Sequence, residues 1–538
     1  MDSSRRHNIG FLEAVSIGIG GMIGGGIFAV LGLSVQISRG AAPLAFLLAG
    51  LVALSTAYAY AKLSVRYPSE GGTIEYLVRA FGPNAFSGGL NLLLLVSYTV
   101  MIALYAYAFG SYGAALLGNS TVWKHLLMST VVVLFMGINA LGAYVSGKAE
   151  DLMVAFKLLV LLLVAGVGLA FVHWQRLAPS NWPDMTSVVA GGMLIFLAYE
   201  GFELIANTAQ DVERLEVLPR AFYTAVLLVI SVYVLIAVVT VGTLPLHQIL
   251  QERDYALAAV TRPVLGATGF RLVSLAALVS TSSAINATLY GTARASYMVA
   301  KYGQLPRIME RKVWKDAAEG LILIGMLALL LANFASLETI STAGSGGFLL
   351  VFFMVNLAAF RLRREIKARS GIVLVGMFLT LMALAILLFR MYRLAPEALE
   401  VFAMLVVLSF VAEGLYRLRT GRELRHYLDD RLRQREENLQ NWGSWIDLVL
   451  RHIHQRFKDA EVYLVGSLAR HEKAPTHDVD LLVITEHPPS PKEERQVAQE
   501  LTEGLTRQHP VHFHFASKGQ REAALRRAGV YRRLQPAS

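Results

Sequence analysis

The sequence predicts an all-α polytopic membrane protein of about twelve spans, followed by a small cytoplasmic α/β domain. Three observations carry that prediction. The 538-residue chain is 55% hydrophobic and only 16% charged, with a mean hydropathy of +0.50, whereas a soluble domain carries about 25% charge. Apolar windows of roughly 20 residues, the length needed to cross a bilayer, recur at approximately 10–38, 41–65, 85–117, 123–145, 150–172, 186–207, 220–243, 269–292, 319–335, 338–360, 371–390 and 398–416. Near residue 417 these windows stop and a charged, then mixed, sequence begins.

The formal charge of +10 is distributed as topology requires. With Arg5 and Arg6 in the cytoplasm, the inside loops hold Arg66, Arg79, Lys148, Arg214, Arg220 and basic clusters within 294–315 and 361–369. The outside loops hold fewer, in keeping with the positive-inside rule. The basic balance therefore reads as orientation in the cell membrane rather than as nucleic-acid binding. An even number of spans puts both termini in the cytoplasm. The first apolar stretch outruns the h-region of a signal peptide and lacks an A-x-A site, so it reads as a true span. The absence of cysteine excludes disulfides, thiolate metal sites and a cysteine nucleophile.

Span one is interrupted by Gly20-Gly21-Met22-Ile23-Gly24-Gly25-Gly26. Each glycine inside a helix costs about 1 kcal/mol against alanine, and in a bilayer every freed backbone group needs a partner. Such a run suits a span that unwinds midway and presents bare N–H and C=O groups to a ligand. That is how a secondary transporter builds its substrate site, provided the second half of the fold has a matching break. Span six supplies one: after Gly191-Gly192 it reads Phe196-Leu197-Ala198-Tyr199-Glu200-Gly201-Phe202-Glu203, with acid, glycine and acid near membrane depth. Two five-span repeats of opposite orientation would place breaks in spans one and six. Taken alone, span six also fits a buried bundle helix with a packing glycine and two acids near its end.

These segments resemble the amino acid–polyamine–organocation (APC) transporter superfamily over about residues 8–416. The core Ile23-Gly24-Gly25-Gly26-Ile27-Phe28 is similar to the superfamily's span-one motif, and Phe196 to Glu203 to its span-six motif. The stretch from Tyr67-Pro68-Ser69 through Tyr76 resembles the loop after span two. Residues 280–306, with Ser282, Asn286, Arg294, Gly303 and Pro306, resemble span eight and its loop. After span six the chain departs from the pattern, keeping only Leu218-Pro219-Arg220 of a longer motif.

The resemblance implies a leucine-transporter-like 5+5 inverted repeat, alternating access and a small amine-bearing substrate. It implies that the amides of Ile23, Gly24, Gly25 and Gly26 take the substrate carboxylate, consistent with the anion affinity of a half-helix N-terminus. Carbonyls around Phe196, Ala198 and Tyr199 would face the amino group, and the Tyr199 ring could gate the site or meet an ammonium through its face. Glu200 is an expensive carboxylate at this depth and so a functional candidate; it could favour a cationic side chain, titrate with transport, or pair with a lysine or arginine.

Lys157 lies several residues inside span five, where a lysine costs about 2.5–3.5 kcal/mol. It must face the interior or snorkel to the surface. In proton-coupled relatives, the resemblance implies, a lysine here stands where sodium-coupled relatives bind an ion. Its partners would come from the span-one backbone and from span-eight hydroxyls such as Ser282 and Ser283.

The tail reads as a charged helical linker at 417–440 and an α/β domain at 441–538, with a helix at 444–457, strands at 461–466, 479–485 and 511–516, and a helix at 491–508. One strand ends in Gly466-Ser467, and the next opens with Asp478-Val479-Asp480. Residues i and i+2 of a strand share a face, so Asp478 and Asp480 could grip one divalent cation, and Gly466 and Ser467 would admit a phosphate. This resembles the minimal nucleotidyltransferases and implies Mg2+ and a nucleoside triphosphate. A polar strand end in an unrelated α/β domain is the plainer alternative. Active relatives add a third carboxylate on the next strand, where this chain has His512 and His514, an arrangement that favours binding over catalysis.

The sequence thus reads as a proton-coupled secondary transporter of amino acids or related amines, needing no cofactor for transport, with a nucleotide-sensing tail. A membrane-tethered nucleotidyltransferase and a non-transporting scaffold are the competing readings. Paired helix breaks favour the first, because an anchor has no use for them.

Overall fold

The computed structural model describes residues 9–69, 71–140, 147–301, 312–314, 317–420, 442–469, 479–490, 493–501 and 511–534. Glu70, Gly303, Pro306, the stretch 421–441 and Asp478 lie outside them. The chain divides into two compact units, His7–Leu424 and Arg425–Ser538, and each is described by itself.

The first unit is helical. Within the described residues, each of the twelve apolar windows coincides with helix, as expected of a chain that must satisfy its backbone inside lipid. Among the described residues nine helical stretches are long and apolar enough to cross a membrane, and a bent pair makes a tenth. Phe11–Met22 and Leu321–Phe334 are shorter apolar helices, the first being half of a broken span.

Span one is two helices, Phe11–Met22 and Gly26–Ser38, separated by Ile23–Gly25. Span six is Met185–Leu194 followed, across a 50° bend, by a 3-10 turn Phe196–Tyr199 and a short helix Leu204–Asn207. The two broken spans are five apart, as an inverted repeat requires. The most extensive packing also joins spans five apart: span three (Ala85–Leu116) against span eight (Arg262–Lys301), and span two (Ala42–Arg66) against span seven (Val217–Thr243).

Several elements differ from the sequence expectation. Span eight starts at Arg262 rather than near 269, and its helix is broken at Gly266, where φ is +63°. Three short helices, Leu246–Gln251, Arg253–Tyr255 and Ala256–Ala259, fill the connection from span seven. The loop after span two continues into an amphipathic helix, Thr73–Phe81. It starts at Gly72, whose φ of +45° favours glycine and where a Cβ would lie 2.1 Å from Asn207 Oδ1.

The second unit is a four-stranded sheet carrying helices. Glu461–Val465 pairs antiparallel with Val479–Thr485, which pairs parallel with Val511–Ser517. Arg532–Leu534, not foreseen from sequence, pairs antiparallel on the other side of Glu461–Val465. Period-2 alternation splits the two central strands between cores. Val462, Leu464, Leu481 and Val483 face helix Trp442–Arg456 through Val449 and Ile453. Tyr463, Val465, Leu482 and Ile484 face Leu525 of the unforeseen helix Arg521–Ala528.

Candidate functional site

The two breaks meet backbone to backbone. A Cβ on Gly21 would lie 2.7 Å from Gly201 O, and one on Gly201 would lie 2.4 Å from Gly21 C. Gly201 also has a φ of +114°, so glycine is required there twice over. Gly26 abuts Ala198 in the same way, since a Cβ on Gly26 would lie 2.8 Å from Ala198 Cα. The span-one glycines on either side of the break therefore let its two helix ends touch the broken segment of span six, a close approach that no other residue permits.

Unwinding frees backbone groups, and neighbouring spans take them up. Lys157 Nζ donates to Gly20 O at 2.8 Å, with the lysine almost wholly buried. The Tyr233 hydroxyl lies 2.7 Å from Met22 O and 3.1 Å from Ala198 O, sharing its proton between the two breaks. Ser280 Oγ donates to Gly24 O at 2.7 Å. On span six, Ser341 and Ser345 of span ten donate to Leu194 O at 2.9 and 2.8 Å, and the Leu197 amide donates to Ser345 Oγ at 3.1 Å.

Several sequence assignments change in consequence. The Ile23 amide donates to Ile19 O at 2.7 Å, so it closes the first half-helix. The second half-helix starts at Gly26, which leaves its first amides without intrahelical partners. The hydroxyl that span eight gives to the span-one break is that of Ser280; Ser283 lines the adjoining cavity and Ser282 is half-buried. Tyr199 does not line that cavity: its hydroxyl donates to Phe46 O at 2.8 Å and its ring packs edge-on against Tyr233. Phe196 is likewise buried, against Phe352.

A cavity of about 180 Å3 touches both breaks, at Gly20 and Gly21 on one side and Glu200 and Gly201 on the other. It extends past Tyr98 and Tyr105 to Gly71, Thr73 and Asn207, towards the face that carries the loop after span two. Glu200 is 4% exposed and faces this cavity. Glu203 is a bound carboxylate: Oε2 accepts the Gly201 amide at 2.8 Å and Oε1 accepts the Tyr98 hydroxyl at 3.1 Å. Sequence reasoning missed Tyr98, Tyr105, Tyr233 and Ser280, since each sits in an apolar helix without a local pattern to mark it.

In the tail, Gly466 has a φ of +77°, and a Cβ there would lie 2.5 Å from Asp480 Oδ2. The glycine thus makes room for the carboxylate paired across from Val465. On the other side His514 Nε2 lies 3.5 Å from Asp480 Oδ1, on the strand where active relatives carry a third acid. Ser467 belongs to the turn of helix Gly466–Ala469 after the strand. The described donors, one carboxylate and one imidazole, do not match the all-oxygen shell that Mg2+ prefers, and among the described residues no group of three potential ligands gathers. At the opposite end of the sheet, the Glu486 amide and the Thr485 hydroxyl hold the half-buried Asp459 carboxylate down to about 2, with Lys518 Nζ 3.2 Å away.

Comparison with known proteins bears on both units. Residues 9–411 match the profile of the amino acid permease family, and residues 446–534 that of the nucleotidyltransferase domain. An uncharacterized protein of Methanocaldococcus jannaschii is 36% identical over 380 residues, 69% of this chain and 87% of its own. Inner membrane transport protein YbaT of Escherichia coli is 31% identical over 395 residues, covering 73% of this chain and 92% of its own. The methylthioribose transporter of Bacillus subtilis is 25% identical over 436 residues, covering 74% and 91%. The chain belongs to the amino acid permease family of the APC superfamily, a family of multi-pass membrane transporters, and joins that transporter unit to a nucleotidyltransferase domain.

Proposed function

We propose that the protein is a secondary active transporter of amino acids or related amines, driven by protons through Lys157 and working by alternating access across the cell membrane. The observation that carries this reading is the contact of two unwound spans at Gly21 and Gly201 beside a cavity. Unpaired amides at the start of Gly26–Ser38 suit a carboxylate. The Ala198 carbonyl has a second lone pair beside the one that Tyr233 occupies and suits an ammonium. The cavity leads to the loop after span two, the cytoplasmic side by the positive-inside rule, so this is an inward-facing arrangement with both termini in the cytoplasm.

Lys157 supports proton coupling because its ammonium grips the carbonyl of Gly20 at the edge of the break. Loss of its proton would weaken that charge-assisted bond and free the first half-helix to move. The tail serves as a nucleotide-binding regulator rather than a transferase, a reading supported by His512 and His514 standing on the strand where an acid is expected. The test is uptake of labelled amino acids into proteoliposomes under an imposed pH gradient. An inward proton gradient should accelerate uptake by the native protein, and Lys157→Ala should abolish that response. A variant that still responds fully would refute the coupling role.

A further inference from the structure

Glu200 distinguishes this cavity from one that recognises only backbone-like groups. It is almost wholly buried, yet it faces the cavity at the junction of the two breaks. Among the described residues lining the cavity there is no lysine, arginine or histidine. Its acidic neighbour Glu203 is committed to the Gly201 amide and the Tyr98 hydroxyl. Among the described residues neither acid has an ion-pair partner within 4.0 Å. A carboxylate buried without a cation is costly, and the aromatic rings of Tyr98 and Tyr105 beside it are surfaces that attract cations.

We infer that Glu200 is a specificity-determining residue, which makes this a site for a small organic cation whose ammonium or guanidinium group completes the missing ion pair. The inference rests on the transport reading above and narrows it. An amino acid with a basic side chain in this cavity would gain an ion pair with Glu200 that a neutral one lacks. A diamine would satisfy Glu200 and leave the half-helix amides unmet, so comparing the two shows whether the anionic end is needed.

The test is competition for labelled lysine uptake in proteoliposomes by lysine, arginine, norleucine and 1,5-diaminopentane, using the native protein, Glu200→Gln and Glu200→Asp. Thermal stability of each variant in detergent, with and without ligand, gives a second readout. The native protein should prefer lysine to its neutral counterpart norleucine by about tenfold or more, the scale of one charge-assisted bond. Glu200→Gln should collapse that ratio towards unity, and Glu200→Asp should restore part of it. Native protein that takes up or is stabilised by neutral amino acids while ignoring the cations would overturn this inference and leave the transport reading standing. A folded native protein that binds neither class would overturn both.

Discussion

Spans one and six break where their backbones touch, yet they contribute different chemistry to that contact. Span one contributes peptide groups: its carbonyls are taken by Lys157, Tyr233 and Ser280, and its glycines remove side chains from the junction. Span six contributes side chains as well, with Glu203 bracing the break and Glu200 facing the cavity. The difference separates two tasks. Peptide groups recognise what every amino acid shares, while a carboxylate can tell one ligand from another. Under the function proposed above, span one is the shared half of the site and span six the selective half.

The comparison breaks most severely at the contact itself. Gly201→Ala adds a Cβ against the backbone of Gly21 and strains a φ of +114°, so the folded state should lose about 3 kcal/mol. Thermal unfolding in detergent measures this, with Gly137→Ala as the contrast, because nothing lies within 4 Å of a Cβ there. The next effect is smaller. Tyr233→Phe leaves the Met22 and Ala198 carbonyls without their shared hydroxyl and should cost about 1–3 kcal/mol. Ser280→Ala removes a hydroxyl that lies 2.7 Å from Gly24 O and 3.3 Å from Ile23 O, both on span one, and should cost about 1 kcal/mol. If Ser280→Ala proved as damaging as Gly201→Ala, span one would owe its broken shape to side-chain support rather than to close backbone approach.

The mildest prediction concerns the tail. Asp459 has a folded pKa of about 2, against about 3.9 for an unfolded aspartate. A depressed carboxylate stabilises above the unfolded value, so its contribution is present above about pH 4 and is lost as pH falls through about 2. The protection of the Glu486 amide against hydrogen exchange, relative to its intrinsic rate at each pH, should fall across that window in the full chain, and Asp459→Asn should lower that protection at neutral pH.

The glycine run and the Tyr-Glu-Gly-Phe-Glu segment were legible in the sequence because they violate what a plain membrane helix tolerates. Their contact at Gly21 and Gly201 was not, since it depends on which turns of two distant segments face each other. Ser280 and Ser282 illustrate the same limit. Two residues on a helix differ by about 200° in direction, and only packing against span one selects Ser280. Tyr98 and Tyr105 were hidden for another reason. They lie in Ala85–Leu116, a helix buried on nearly all sides, so no periodic pattern marks the face that meets the cavity. In the tail, the buried strands announced themselves as apolar runs, whereas Arg532–Leu534 reads as polar because it is a sheet edge.

The central claim is that ligand occupies the cavity between the two breaks, and the absence of cysteine from the chain makes a direct test available. Ala287 lines the cavity away from the glycine contact, so Ala287→Cys would introduce a single thiol there. The measurement is the rate at which a small, water-soluble thiol reagent modifies that cysteine in reconstituted protein, with and without saturating lysine. Occupancy of the cavity predicts that lysine at about ten times its Kd slows modification about tenfold. An unchanged rate, in protein that demonstrably transports lysine, would place the substrate elsewhere and contradict the account.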